Sequence, residues 1–272
     1  MAEATPSSPY DPQPVEERPL GNAPLVRVLA QVRHPALLSL AGEAANQTAL
    51  RVAEALDDHY PIFEAGRETG IILTPAGVKE HKDSGAGIWR LRNPKETWQV
   101  SFGKEFVALE TSMYEGRTHF CSQLAVVLSA YVGEVRPPSA TRIGVRYTNR
   151  ITESQNLTRI KELVRTEVLG PVGTELPTDA ELSHSFSQAQ FATIDGGSLL
   201  NWGLLPANGV FDPMLTSTDS PSWILDIDAF HSSKVPFEAQ AVTELARSLA
   251  TRAYTHFRWA VTEEFLNTYR GS

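Results

Sequence analysis

The sequence predicts an α+β protein: two diverged β-α-β(3–4)-α repeats join into one curved antiparallel sheet with helices on its convex face. Strand-type alternation and helix-type stripes recur in the same order in each half of the 272-residue chain. Equivalent positions keep one offset: Val26 and Ile143, Val28 and Val145, Phe120 and Phe237, and Leu128 and Leu245 all lie 117 positions apart. Each half carries apolar strand faces and helix stripes that only mutual packing can bury. The intervening helices begin Asn46-Gln-Thr and Asn156-Leu-Thr, 110 positions apart, so a short insertion separates them and the meander register stays open. Chance spacing of two unrelated α+β segments is the competing explanation.

Residues 1–20 hold Pro6, Pro9, Pro12, Pro14 and Pro19 and read as a flexible tail, because that density favours extended, solvated backbone. The first repeat is placed at 21–138. It opens with a strand in which Val26, Val28, Ala30 and Val32 share one face while Arg27, Gln31 and Arg33 share the other. Ala45, Thr48, Val52 and Leu56 mark a helix that stops at Tyr60-Pro61, since proline disfavours helical backbone in the residue before it. Strands follow at Gly70–Leu73, Ile88–Leu91, Trp98–Phe102 and Phe106–Thr111, with turns at GAG, RNPKE and GK. A helix striped by Phe120, Leu124, Val127, Leu128 and Tyr131 closes this repeat.

The second repeat is placed at 139–272. Ile143, Val145 and Tyr147 alternate with Arg142, Arg146 and Arg150 in a strand, and Leu157, Ile160, Val164 and Val168 stripe a helix that ends at Gly170-Pro171. Strands are expected near Leu182–Ile194, Leu199–Leu205 and Trp223–Phe230. A last helix of about thirty residues starts at Pro236 and buries Phe237, Ala241, Leu245, Leu249, Ala253, Phe257, Val261 and Phe265.

Composition bounds the function. Hydrophobic content of 42% suits a chain with a real core, and a net charge of −8 is the opposite of a dedicated nucleic-acid binder's footprint. The lone Cys121 excludes an intramolecular disulfide and a Cys-rich metal site. With no signal-peptide pattern at the start and no apolar run of the ~20 residues that span a bilayer, a cytoplasmic protein off the membrane is expected. Whether it forms a homo-oligomer is left open.

The order of elements is similar to the TATA-box-binding-protein-like fold, a topological analogy that transfers no function. The segments NAPLVRV, RIGVRYTNRI, LDIDAF and THFRWAVTEEF, spread over residues 22–270, resemble a sporadically distributed bacterial family of uncharacterised proteins of about 250 residues. RIGVRYTN is the most specific of them. The resemblance implies one intact module from a bacterial cytoplasm, and it brings no catalytic residues with it.

The arginine strand is the most informative chemical feature. Arg142, Arg146 and Arg150 sit at intervals of roughly 13 Å on one face, with Gly144 and Thr148 leaving space between them. With Arg27 and Arg33 on the equivalent strand, they suit capture of phosphate, carboxylate or an acidic protein surface. The other reading pairs them with Asp226 and Asp228, two carboxylates on one strand face roughly 7 Å apart. That pair also suits Mg²⁺ or divided acid and base roles, although no third ligand stands at a telling spacing.

Other features read as structure. The histidines His34, His59, His81, His119, His184, His231 and His256 form no zinc-type spacing, and Cys121 has no histidine held beside it. Gly85, Gly87, Gly196 and Gly197 resemble hairpin turns, and the two Asn-X-Thr sequons resemble helix caps. Trp89, Trp98, Trp202, Trp223 and Trp259 are expected in the core. The leading expectation is a binding or regulatory module of a bacterial system, without catalysis or cofactor, and with a defence or toxin link. It captures an anionic ligand or acidic surface through Arg142, Arg146, Arg150, Arg27, Arg33, Asp226 and Asp228. The alternatives are sequence-tolerant nucleic-acid binding by the same saddle and a metal-dependent hydrolase centred on Asp226 and Asp228.

Overall fold

A computed structural model describes residues 5–13, 15–74 and 77–271, without the side chains of 67–86. Pro14 and the side chain of His81 lie outside the described residues. The protein is α+β, with a large antiparallel sheet and six α-helices among the described residues. It divides into two compact units: residues 28–145 with 230–247, and residues 1–27 with 146–229 and 248–272. This division does not follow the 21–138 and 139–272 repeats, because the first and seventh strands, the tenth strand and the longest helix each supply residues to both units.

In the first unit the chain runs β1 (Leu25–Arg33), α1 (Ala44–Leu56), β2 (Ile62–Thr74), β3 (Gly77–Arg92), β4 (Trp98–Gly103), β5 (Phe106–Thr111), α2 (Arg117–Val135) and β6 (Ser139–Ala140). Hydrogen-bonded neighbours follow the order β2-β3-β4-β5-β1. The alternation read in β1 is realised: Val28, Ala30 and Val32 are buried, with Val32 opposite Val107 and Ala30 opposite Leu109. They share the core with Leu91, Val100, Phe102, Leu124 and Tyr131. Phe102 stacks on Trp89 at 5.6 Å and meets Tyr131 edge-on at 5.9 Å. Burial raises the Tyr131 hydroxyl's pKa, and that hydroxyl meets His34 Nε2 at 2.8 Å.

Gly85 and Gly87 are not turn residues. Both lie inside β3, where Gly87 pairs with Arg67 in a hairpin longer than the isolated Gly70–Leu73 and Ile88–Leu91 segments suggest. Asn46 is likewise no cap, since it is the third residue of α1.

The second unit takes the end of β7 (Arg142–Ile151), then α3 (Ser154–Thr158), α4 (Ile160–Leu163), β8 (Ser187–Thr193), β9 (Gly196–Leu205) and most of β10 (Ser222–His231). Its strand order is β7-β10-β9-β8. After β11 (Val235–Pro236) come α5 (Ala239–Ala260) and α6 (Glu263–Thr268). Three helix expectations are corrected. The stripe from Leu157 to Val168 breaks into α3, α4 and a 3-10 turn, because Val164 leaves helical geometry to bridge Val261 while Arg165 N–H bonds the Ala260 carbonyl at 2.9 Å. Pro236 pairs with Ser139 in a short ladder and does not open the helix. The thirty-residue helix ends at Ala260, where Thr262 caps α6 through its side chain, which accepts from Phe265 N–H.

Within α5 the buried stripe matches the expected one at Leu249 and Ala253 but departs from it at Ala241, Leu245 and Phe257. Val242, Ala246, Leu249, Ala250, Ala253 and His256 are buried, Ala241 is exposed, and Leu245 and Phe257 are half-buried. Ala246, Ala250 and Ala253 make much of this face small, so a hydrophobic count alone favours bulkier neighbours such as Leu245 and Phe257. Trp89, Trp98 and Trp223 are buried as expected, whereas Trp202 and Trp259 are only partly so.

Candidate functional site

The second unit gathers most of the polar residues singled out from sequence. Asp226, on β10, is fully buried, and three donors converge on it. Arg146 Nε lies 2.7 Å and Thr148 Oγ1 2.8 Å from its Oδ1, and Asn201 Nδ2 lies 3.0 Å from its Oδ2. Strand periodicity explains the assembly. Arg146 and Thr148 are two apart on β7, so they share a face, and Asn201 rises from β9. Gln188 on β8 extends the network by donating to Asn201 Oδ1 at 2.8 Å.

Arg146 reaches a second carboxylate. Its Nη1 is 2.8 Å from Asp212 Oδ2, which Arg27 Nη1 also approaches at 3.3 Å. Burial works against the Arg146 charge, but Asp226, then Asp212 and Asp228, more than offset it, so its pKa is raised. Phe211, beside Asp212 in the β9–β10 loop, places its ring 5.8 Å from the Arg146 guanidinium. That loop is tied down by bonds from Asn208 N–H to the Thr218 carbonyl at 2.7 Å and from Met214 N–H to Asp212 Oδ1 at 2.9 Å.

Arg150 lies on the same strand face but stands apart chemically. The residue is 6% exposed, and its Nη1 donates to the Thr216 carbonyl of the same loop at 2.5 Å. Nε and Nη2 are buried with no hydrogen-bond partner, and burial lowers its pKa. Arg258, the other deeply buried arginine of this unit, also leaves Nε and Nη1 unpartnered but has a counter-ion in Glu263 at 3.0 Å. Among the described residues, no carboxylate is paired with Arg150.

The five arginines are divided between the two units. Arg27, Arg146 and Arg150 belong to the second unit, whereas Arg33 and Arg142 belong to the first. There Arg33 is exposed and donates to Gln31 at 3.3 Å, and Arg142 lies 4.9 Å above the Phe230 ring. The charge balance expected from two carboxylates is also revised, because Asp212 is a third. Its only sequence signal was its place beside Phe211 and Pro213, a setting that reads as an ordinary loop.

Sequence reasoning also missed a buried polar pair. Ser198 on β9 and His256 on α5 are both fully buried, with Oγ and Nε2 2.8 Å apart. Burial first, and Arg252 second, push His256 down to about 4, so the ring is neutral at pH 7. Its Nδ1 has no hydrogen-bond partner, so among the described residues the pair lacks the third member of a nucleophile–base–acid constellation. Tyr10 of the N-terminal segment covers the pair, its hydroxyl donating to Ser198 Oγ at 3.0 Å.

Among the described residues, no group of three or more His, Cys, Asp or Glu is placed to hold a metal ion, and no helix is long and apolar enough to cross a membrane. Neither a protein-family model nor a curated protein matches this chain.

Proposed function

We propose that the protein is a binding or regulatory module that captures an anionic group, a carboxylate or phosphate, with Arg150 as the receiving residue. The observation that supports this reading is a buried guanidinium with two unpartnered nitrogens and no counter-ion. Burying a charge without compensation is costly, and an oxyanion accepting from Nε and Nη2 would remove that cost in bidentate geometry. Arg146 and Arg27 have a different part: their pairing with Asp226 and Asp212 positions β7 and the β9–β10 loop around Arg150. Arg33 and Arg142, which fall in the first unit, are given no part in this reading.

The two-repeat organisation, its likeness to the TATA-box-binding-protein-like fold, and a bacterial setting with a defence or toxin link belong to the same proposal. Both alternative functions are set aside. Arg27 and Arg146 are already engaged by carboxylates and so are poor phosphate-backbone contacts. Asp226 is fully buried and already accepts from three donors, which makes it a poor centre for a metal-dependent hydrolase.

Thermal melts in increasing inorganic phosphate, and separately in citrate at matched ionic strength, test the reading. One of the two anions is expected to raise the midpoint of the intact chain in a saturable way and to leave Arg150→Met unchanged. Equal responses of the two proteins would reject Arg150 as the receiving group.

A further inference from the structure

The N-terminal segment, whose proline content suggests a tail with nothing to bury, is docked at discrete points. Pro6 is buried, and its carbonyl accepts from Arg165 Nη2 at 3.0 Å. Between Ser7 and Gln13 the chain is held in a compact turn by Asp11, whose carboxylate accepts from Ser7 N–H and Oγ, both at 2.8 Å, and from Gln13 N–H at 2.9 Å. These bonds lower the Asp11 pKa, because each donor favours the charged carboxylate that anchors the turn. The turn presents Tyr10. Its ring stands edge-on to His256 at 4.8 Å and 5.7 Å from Phe191, its hydroxyl reaches Ser198, and the Arg252 guanidinium lies 5.9 Å from it. Further along, Arg18 N–H donates to Tyr254 Oη at 2.8 Å, and Arg18 Nη1 pairs with Glu263 at 3.1 Å.

This is the anatomy of peptide recognition. A preformed turn supplies one aromatic anchor, and the body supplies a receptor of two rings, a cation and a fixed hydroxyl. Among the described residues, the segment adds no strand or helix to the fold. Such a strap opens locally at a free energy well below that of global unfolding. Lifting it would expose Ser198 and the unpartnered Nδ1 of His256 together.

We propose that Phe191, Ser198, Arg252 and His256 form a peptide-binding site specific for a tyrosine, and that residues 5–13 of this chain occupy it in cis as an exchangeable, autoinhibitory ligand. Ser198 reads the phenol hydroxyl, and the His256–Phe191 pair reads the ring. The tether holds the cis ligand at an effective concentration of order millimolar, so a free peptide competes only when the strap is weakened.

The test uses a fluorescent nine-residue peptide of residues 5–13 and full-length protein. By anisotropy, Tyr10→Ala is expected to bind it at least tenfold more tightly than the intact chain. Adding Ser198→Ala should weaken that binding at least fivefold, as should replacing the peptide's tyrosine with phenylalanine. Limited proteolysis of the intact chain supplies an independent measurement, with cleavage within residues 5–20 expected at urea concentrations where the body remains folded. Equal, undetectable peptide binding by Tyr10→Ala and intact protein would overturn the proposal. Should Tyr10→Ala fail to fold, proteolysis decides: cleavage of the segment only with global unfolding makes it part of the core and overturns the proposal, and earlier cleavage supports it.

Discussion

Arg146 and Asp226 meet at 2.7 Å across β7 and β10, and Asp226 is fully buried. One of the five arginines expected to meet an outside ligand is thus the counter-ion of the least accessible carboxylate in the site. Removing it leaves a buried charge held only by Thr148 and Asn201. Arg146→Ala is therefore expected to cost about 3–5 kcal/mol in urea denaturation. The double variant Arg146→Met/Asp226→Leu should recover most of that loss, because it removes both charges together. A loss below about 1 kcal/mol for the single variant would refute the assignment.

Arg150 should behave in the opposite way. Without a bound anion its buried charge opposes folding, so Arg150→Met in ligand-free buffer is expected to be neutral or to stabilise by about 1–3 kcal/mol. Parallel urea titrations of the two proteins measure this. Strong destabilisation would make Arg150 a structural residue bonded through Thr216.

Stability should fall on the acid side of neutrality. His256 titrates near 4 when folded, against 6.5 ordinarily, and it faces Arg252, Tyr10 and Ser198. Above pH 6.5 both states are neutral and the full stability is present. Below it the unfolded chain takes up a proton that the folded chain refuses until about pH 4, so stability is lost across that window. The loss between pH 7 and pH 5 is about 2 kcal/mol. Burial lowers His34 as well, which adds in the same direction. Denaturation curves at the two pH values should show the loss, and His256→Gln should remove most of it.

The C-terminal aromatics separate by burial. Phe265 is 1% exposed and touches Phe257 edge-on at 5.5 Å, while Phe257 is only half-buried. Phe265→Ala is expected to cost about 3–5 kcal/mol and Phe257→Ala roughly half as much. Equal costs would place both rings in the same environment.

Several elements were legible because their signal is local. The alternation Val28, Ala30, Val32 needs only the twofold period of a strand, and Phe120, Leu124 and Leu128 need only the helical period. The end of the last helix was not legible, because the break at Val261 depends on a bridge to Val164, nearly a hundred residues earlier. Asp212, Ser198, His256 and Tyr10 escaped for the same reason: each matters only through a partner far away along the chain, and none lies in a motif.

The sequence by itself determined the α+β class, the strand-and-helix order of the first half, the shared face of Arg146 and Arg150, and that of Asp226 and Asp228, all of which follow from backbone periodicity. Only the tertiary structure decided how those charges are used. Coulomb attraction and desolvation depend on distance and burial, so the fold alone set Asp226 and Asp212 against Arg146, left Arg150 without a counter-ion, and laid Tyr10 over Ser198 and His256.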